Sequence, residues 1–225
     1  MPQVKLPWPS RVWYMFRKEL QCELRTRYVL GELVMFVLIT LASVSMAIAG
    51  NVLSPAIAAT LLWVIIFFSA MAGLARSFMQ ELEMGTLLTL RVYAGGQTVL
   101  AGKLLYNIML LLLVTLVIIP LFILFFNLEI QLLREFLFVV FLGTVGLASV
   151  ATLTTLMVTR VHARGSLFTV ITFPVLLPHF LTAITATRQI LTNITPGWRE
   201  LFFLAGYDLS VIVATSLLFD FLWYD

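Results

Sequence analysis

The sequence predicts an all-α integral membrane protein with six transmembrane helices. Of its 225 residues, 61% are hydrophobic and only 11% are charged, and the mean hydropathy is +1.05. A soluble domain is about one quarter charged. A spanning helix needs about 20 apolar residues, and uncharged windows of that size recur along the chain. The strands of a membrane barrel would be about 10 residues long and alternate in polarity, a pattern that these windows lack.

The apolar windows give the order of the six helices. The first window is long enough for two spans, and Gly50, Ser54 and Pro55 lie in a turn-rich break that divides it into a hairpin. The windows are Leu33–Ala75, Leu104–Leu128, Phe136–Thr159, Gly165–Thr187 and Leu201–Phe219, the last of which contains one acid, Asp208. We therefore expect residues 31–225 to form one six-helix transmembrane domain.

The distribution of Lys and Arg predicts that both termini are cytoplasmic. The N-terminal arm, the second-to-third connection and the fourth-to-fifth connection hold eleven of the 14 basic residues, and the opposite side holds Arg134, Arg188 and Arg199. The basic residues are not gathered on one folded face, so we predict no nucleic-acid binding. Cys22 is the single cysteine, which excludes a disulfide within the chain. The first apolar run starts only at Leu33, so no cleavable signal peptide is expected.

The N-terminal segment, residues 1–30, is predicted to be an amphipathic helix in the cytoplasmic interface. Apolar Val12, Phe16, Leu20 and Leu24 recur every fourth residue, and basic residues lie elsewhere around the helix. Two interpretations share this structure. The helix either transmits motion or serves only as a positive anchor for the first span.

The insert at residues 76–103 is the most informative part of the chain. It is polar and carries five charged residues between two membrane-length apolar stretches. Gly85 is suited to end one short helix, Thr86 to cap a second, and Thr98 to cap the third span. The apolar residues here are costly to leave in water, which favours a docking surface for a soluble partner over a solvated loop. The predicted docking residues are Phe78, Glu81, Leu82, Glu83, Gly85, Thr86, Leu87 and Leu90.

Two spans carry distinctive residues. In the fourth span, Thr144, Ala148 and Thr152 form a small-residue face of the kind that packs against neighbouring helices, with a substrate path as the alternative. In the fifth, Pro174 and Pro178 each remove a backbone donor, which predicts a kink, either static or part of a moving gate.

Two polar residues fall inside predicted spans. Asp208 either caps the last span behind a short re-entrant helix at residues 196–206, or makes an ion pair or a substrate contact within the membrane. His179 is interpreted as a packed or pore-facing histidine, with haem ligation as the alternative. These two residues and the proline pair complete the candidate site.

Catalytic chemistry is not predicted for this chain. Gly102-Lys103 ends like a phosphate-binding loop, but the motif requires glycine where Gln97 stands and Ser or Thr where Leu104 stands. His162 and His179 have no Cys or carboxylate at ligand spacing. We expect a non-enzymatic subunit that binds no metal and no cofactor itself.

These features resemble the ABC-2-type export permeases, and in particular the CcmB family (haem exporter protein B). The resemblance rests on the insert from Arg76 to Lys103, the arm at residues 16–20, Gly143-Thr144, the stretch at residues 164–167 and the proline pair. It covers nearly the whole chain. Relatives carry a proline-containing turn where this chain has Ala94-Gly95-Gly96.

The resemblance implies a permease subunit in a cytochrome c-maturation ABC transporter of the bacterial inner membrane. It implies a homodimer with two copies of an ATP-binding subunit that hydrolyses the ATP, and a coupling helix within residues 76–103. Further implied partners are a haem-handling membrane protein and a periplasmic haem chaperone, whose haem-loaded form is released at the expense of ATP. The alternatives are an ABC-2 permease for a polysaccharide, lipid or drug, and an ATP-independent channel or scaffold.

Overall fold

The computed structural model describes residues 7–26, 28–48, 53–74, 95–160 and 166–224. Within these ranges it contains seven helices and no strand, so the all-α prediction is confirmed for this part of the chain. The helices are α1 (Trp8–Thr26), α2 (Tyr28–Ile48), α3 (Pro55–Leu74), α4 (Gly96–Phe126), α5 (Leu133–Arg160), α6 (Ser166–Leu191) and α7 (Trp198–Tyr224).

Five stretches in the described residues are long and apolar enough to cross a membrane. They are Gly31–Ile48, Pro55–Leu74, Gly96–Phe126, Leu133–Thr155 and Trp198–Phe219. The multi-pass character is therefore confirmed. Helix α6 occupies the position of the predicted fifth span and is 26 residues long, but it is not one of these five, so the count of six stays a prediction.

The predicted break between the first two spans is confirmed by the helix boundaries. Helix α2 ends at Ile48 and α3 begins at Pro55. The Ile57 amide faces the Ser54 hydroxyl at 3.4 Å, which is the contact expected of a capping serine. Proline suits the first helical position because the missing N–H would have no partner within the helix there.

Helix α4 begins earlier than the apolar window predicts. Its N-cap is Gly95, in an extended conformation. The prediction that Thr98 caps this helix is wrong, because Thr98 lies in the first turn and its amide donates to the Gly95 carbonyl at 3.0 Å. The polar start is tolerated because its side chains find partners in the bundle. Gln97, for example, donates from Nε2 to the Ser216 carbonyl at 3.1 Å.

Helix α5 is the central helix of the bundle and packs against α3, α4, α6 and α7. In its 18-residue apolar window, 78% of the residues are buried, against 17% in the corresponding window of α2. The predicted small-residue face is confirmed, since Thr144, Ala148 and Thr152 are fully buried. Small side chains let the backbones approach closely where lipid supplies no hydrophobic driving force between helices.

Side-chain hydrogen bonds connect α5 and α6 to the rest of the bundle. Asn107 of α4 donates to Thr152 of α5 at 2.8 Å. Trp63 of α3 donates from Nε1 to Thr187 of α6 at the same distance. Such bonds stabilise helix packing in lipid by about 0.6–2 kcal/mol each, and they fix which faces meet.

Helix α1 packs chiefly against α4. Val12, Met15 and Glu19 are buried, whereas Phe16 and Leu20 are only partly so. Of the predicted apolar face, Val12 is therefore buried within the protein, and the placement of this helix in the membrane interface stays a prediction. Gly102 of α4 has no side chain and leaves the space that Met15 fills.

Candidate functional site

The predicted docking residues of the insert fall outside the described residues, since Phe78 to Leu90 lie within positions 75–94. Their role as a docking surface therefore stays a prediction. The structure does describe the helices on both sides of these residues. Helix α3 ends at Leu74, which is 1% exposed, and α4 begins at Gly96. These helices pack against each other, so the insert connects two helices that are in contact.

Helix α6 runs through both prolines as one helix. Pro174 and Pro178 are exposed on its outer face. Neither ring has an N–H to offer to the carbonyl four residues earlier. Between the two prolines, the Tyr207 hydroxyl of α7 donates a hydrogen bond to the Val175 carbonyl. The carbonyls that lose a donor are those of Val170 and Pro174, so the second helix contacts α6 one residue after Pro174. The kink or gate function stays a prediction.

Helix α7 is a single helix from Trp198 to Tyr224. The predicted re-entrant helix at residues 196–206 is therefore wrong, and Asp208 does not cap a helix. It lies in the helix interior and is 5% exposed. Adjacent residues Tyr207 and Asp208 both contact α6. The buried acid therefore has a polar neighbour, and the helix continues through it without a break.

That neighbour is His179. Its Nδ1 lies 3.4 Å from Asp208 Oδ1, and its Nε2 lies 3.3 Å from the Gly143 carbonyl of α5. The Tyr207 ring stands beside the imidazole, with ring centroids 5.2 Å apart. The His179–Asp208 cluster, as we name His179, Asp208, Tyr207, Gly143 and Gly146, thus joins α5, α6 and α7.

A proton between His179 and Asp208 can occupy either of two positions. If Nε2–H donates to Gly143, a further proton lies either on Nδ1, which makes an ion pair, or on the carboxyl group, which leaves both residues neutral. Both oxygens of Asp208 and the Nδ1 of His179 make no hydrogen bond within the described part of the chain. A buried polar group without a partner costs about 1–3 kcal/mol, so packing, not bonding, holds this cluster together.

Two glycines of α5 make this packing possible. A Cβ on Gly146 would overlap Asp208 Oδ1 and the His179 ring, and one on Gly143 would overlap the Trp63 indole. Any side chain at either position would push α6, α7 or α3 away from α5. Both glycines are therefore required for the close approach of these helices.

The surroundings of His179 favour the packed interpretation over haem ligation. The residue is 1% exposed, and each ring nitrogen faces an oxygen of a neighbouring helix. Among the residues that the structure describes, no three or more His, Cys, Asp or Glu side chains come together as a potential metal site.

The family follows from a comparison over almost the whole chain. The family model for CcmB protein matches residues 10–220, from α1 through α7. The chain belongs to the CcmB family. Membership makes it a membrane component of a haem exporter for cytochrome c maturation, which is part of an ABC transporter and so has an ATPase partner. No curated protein matches the chain.

Sequence reasoning missed several residues that this CcmB-family fold brings to the site. Tyr207, Gly146 and Trp63 were not singled out, although each contacts the cluster or a glycine that forms it. Gly146 follows Gly143 by three residues in a stretch of small side chains, and this pattern indicates close helix packing. Nothing in the sequence indicated that its neighbours would be an acid and a histidine.

Proposed function

We propose that this chain is the membrane subunit that couples ATP hydrolysis by a partner to the haem delivery step of cytochrome c biogenesis. In this step the haem-loaded periplasmic chaperone is released from the complex. The match to the CcmB family carries the proposal, because it runs through every described helix and includes the insert.

We propose the following assembly. Two copies of the chain and two ATP-binding subunits form the transporter in the bacterial inner membrane, with both termini of each copy in the cytoplasm. A haem-handling membrane protein and the haem chaperone complete the complex. The excess of basic residues on the side of the insert supports this orientation. The chain itself hydrolyses no nucleotide and binds no cofactor, and haem is handled by the complex.

The insert is the proposed point of contact with the ATPase. It follows α3, in which 12 of 20 residues are buried, and it ends within the first turns of α4, which packs against α3. A movement of the insert would therefore act on two packed helices at once. A coupling element needs this property, because a ligand or partner shifts a conformational equilibrium only through contacts that differ between the two states.

We further propose that the Pro174/Pro178 segment of α6 is the part of the membrane domain that moves. Two missing backbone donors lie four residues apart there. The only side-chain bond that the described residues show to a carbonyl between them comes from Tyr207. A segment with few internal bonds and one external contact has the fewest bonds to break when it changes shape.

Purification from membranes tests the proposed function. We expect an ATP-binding subunit to copurify with the tagged chain, and Glu81→Lys or Gly85→Pro to reduce its amount at least tenfold. Glu129→Lys is the matched control, because it makes the same charge change at an exposed site in the connection between α4 and α5. Recruitment that survives both insert variants would overturn the coupling assignment. Absence of any ATPase from the wild-type preparation would overturn the proposed function.

A further inference from the structure

A buried ion pair joins the N-terminal helix to the first turns of α4. Lys103 Nζ lies 3.2 Å from Glu19 Oε1, and the two residues are 84 positions apart in the chain. The Lys103 side chain is fully buried, and that of Glu19 is 11% exposed. Lysine is almost never buried unless it is paired. The α1–α4 ion pair, as we name Glu19 and Lys103, is therefore a specific attachment.

Helices α1 and α4 approach each other closely beside this pair. Gly102 precedes Lys103, and a Cβ built on it would stand 2.7 Å from Met15 Cβ and 3.3 Å from the Phe16 amide nitrogen. Such contact fixes the position of α1 along α4, while the ion pair fixes its rotation. At this point the Met15 side chain of α1 packs directly on the backbone of α4.

The ion pair lies at the end of the insert, because Lys103 is its last residue. Helix α4 begins at Gly96, and at 1.5 Å per residue Lys103 stands about 10 Å along it. Helix α1 makes few contacts with α2, which follows it in the chain, and many with α4. The position of α1 is therefore set by α4, and so by the helix that leaves the insert.

We propose that Glu19 and Lys103 are positioning residues that make α1 and the first turns of α4 move as one body during the transport cycle. This inference rests on the proposed function, in which the ATPase acts on the insert. A displacement of the insert would then reach α1 directly, together with α2, which follows α1 in the chain and itself packs against α4. Neither residue contacts substrate, and each acts through the helix it holds.

Three variants distinguish the attachment of α1 to α4 from the effect of leaving a buried charge with one fewer partner. Glu19→Gln and Lys103→Met each remove one member of the pair, which leaves a buried charge with one fewer partner. The double variant Glu19→Met/Lys103→Met replaces the pair by apolar side chains, a change that buried ion pairs often tolerate. Arg17→Met is the control, because Arg17 is exposed on the same helix.

Each variant is purified as the whole complex and scored for bound ATPase, ATP hydrolysis and holocytochrome c formed per ATP hydrolysed. We expect the single variants to keep ATPase binding within twofold of wild type, and to lose at least tenfold in cytochrome c per ATP. The double variant should recover to within threefold. Three outcomes overturn the inference: single variants with full output, a double variant as poor as the singles, or losses that only follow the amount of folded complex.

A spectroscopic measurement tests the motion itself. Cys22 is the single cysteine of the chain and is exposed three residues after Glu19. A spin label there, with a cysteine-free ATPase partner, should change its spectrum when a non-hydrolysable ATP analogue binds. We expect Lys103→Met to abolish this change while the ATPase stays bound. A label that responds equally in both proteins would overturn the inference, whereas a wild-type complex without ATPase would contradict the proposed function instead.

Discussion

Two buried acid–base pairs hold this bundle together in different ways. In the α1–α4 ion pair, Glu19 Oε1 lies 3.2 Å from both Lys103 and Lys18. In the His179–Asp208 cluster, His179 Nδ1 and Asp208 Oδ1 are 3.4 Å apart, and both Asp208 oxygens make no hydrogen bond within the described residues. Gly146 of α5 lies against both members of the second pair, whereas Gly102 precedes Lys103 in α4 and lies against Met15 of α1.

The difference predicts which of the two acids contributes more to the stability of the fold. The acid of the first pair has two cationic neighbours, so removing its charge should destabilise the bundle. The acid of the second is held by packing at an energetic cost. An Asp near the bilayer centre costs about 2.5–3.5 kcal/mol on insertion scales. A costly polar group that its surroundings do not satisfy is a candidate for a role in the reaction cycle.

The largest effect should come from filling the two glycine contacts. Gly146→Ala and Gly102→Ala should each lower the free energy of unfolding by about 1–3 kcal/mol, because the added Cβ overpacks a tight contact. SDS titration in detergent micelles measures the loss. Gly206→Ala is the matched control, since a Cβ there meets nothing within 4 Å. Equal losses in the control would show that the contacts are not tight.

Removing the charge of the better-bonded acid should have the next largest effect. Glu19→Gln should lower the free energy of unfolding by about 1–2 kcal/mol, the low end for hydrogen bonds to charged groups, because the glutamine oxygen can still accept from Lys103. The same titration measures it, beside the Arg17→Met control. A loss no larger than that of Asp208→Asn would contradict the proposed difference between the two pairs.

Tyr207→Phe should have a smaller effect. It removes the hydrogen bond to the Val175 carbonyl and keeps the aromatic ring beside His179. We expect a loss of about 0.5–1.5 kcal/mol, the net contribution of one neutral hydrogen bond. Tyr14→Phe is the control, because Tyr14 is 57% exposed on α1. If both variants unfold alike, the Tyr207 hydroxyl contributes nothing to holding α6.

Asp208→Asn should have the smallest effect on stability. The new amide has the same shape and can donate to His179 Nδ1, so we expect a change within about 0.5 kcal/mol. Holocytochrome c formation by the same variant then tests the hypothesis that the shared proton is used in the cycle. That hypothesis predicts a loss of activity without a loss of stability. Wild-type activity would contradict it.

Features that depend on local sequence were predictable. The all-α class, the order of the apolar helices and the break before Pro55 follow from composition, window length and turn chemistry, and the structure confirms them. The small-residue face of α5 was also readable, because helical spacing places Thr144, Ala148 and Thr152 on one side. Each of these needs only neighbours within a few turns.

Features that depend on partners distant in the sequence were not predictable. Helix α4 starts before its apolar window because Gln97 and Lys103 are satisfied by α7 and α1. Helix α7 continues through Asp208 because His179 of α6 lies beside it. The buried face of α1 is set by a glycine in another helix. In the cases of α4 and α7, contacts remote in the sequence accommodate polar residues that were expected to lie outside or at the end of a span.

The sequence by itself determined that this chain is a multi-pass helical membrane protein of the CcmB type, because apolar length and short motifs are local properties. Only the tertiary structure decided which buried charges meet, which glycines admit them and which face of α1 is covered. Those outcomes depend on the free energy of burying a charge, and that free energy is set by the atoms that surround it after folding.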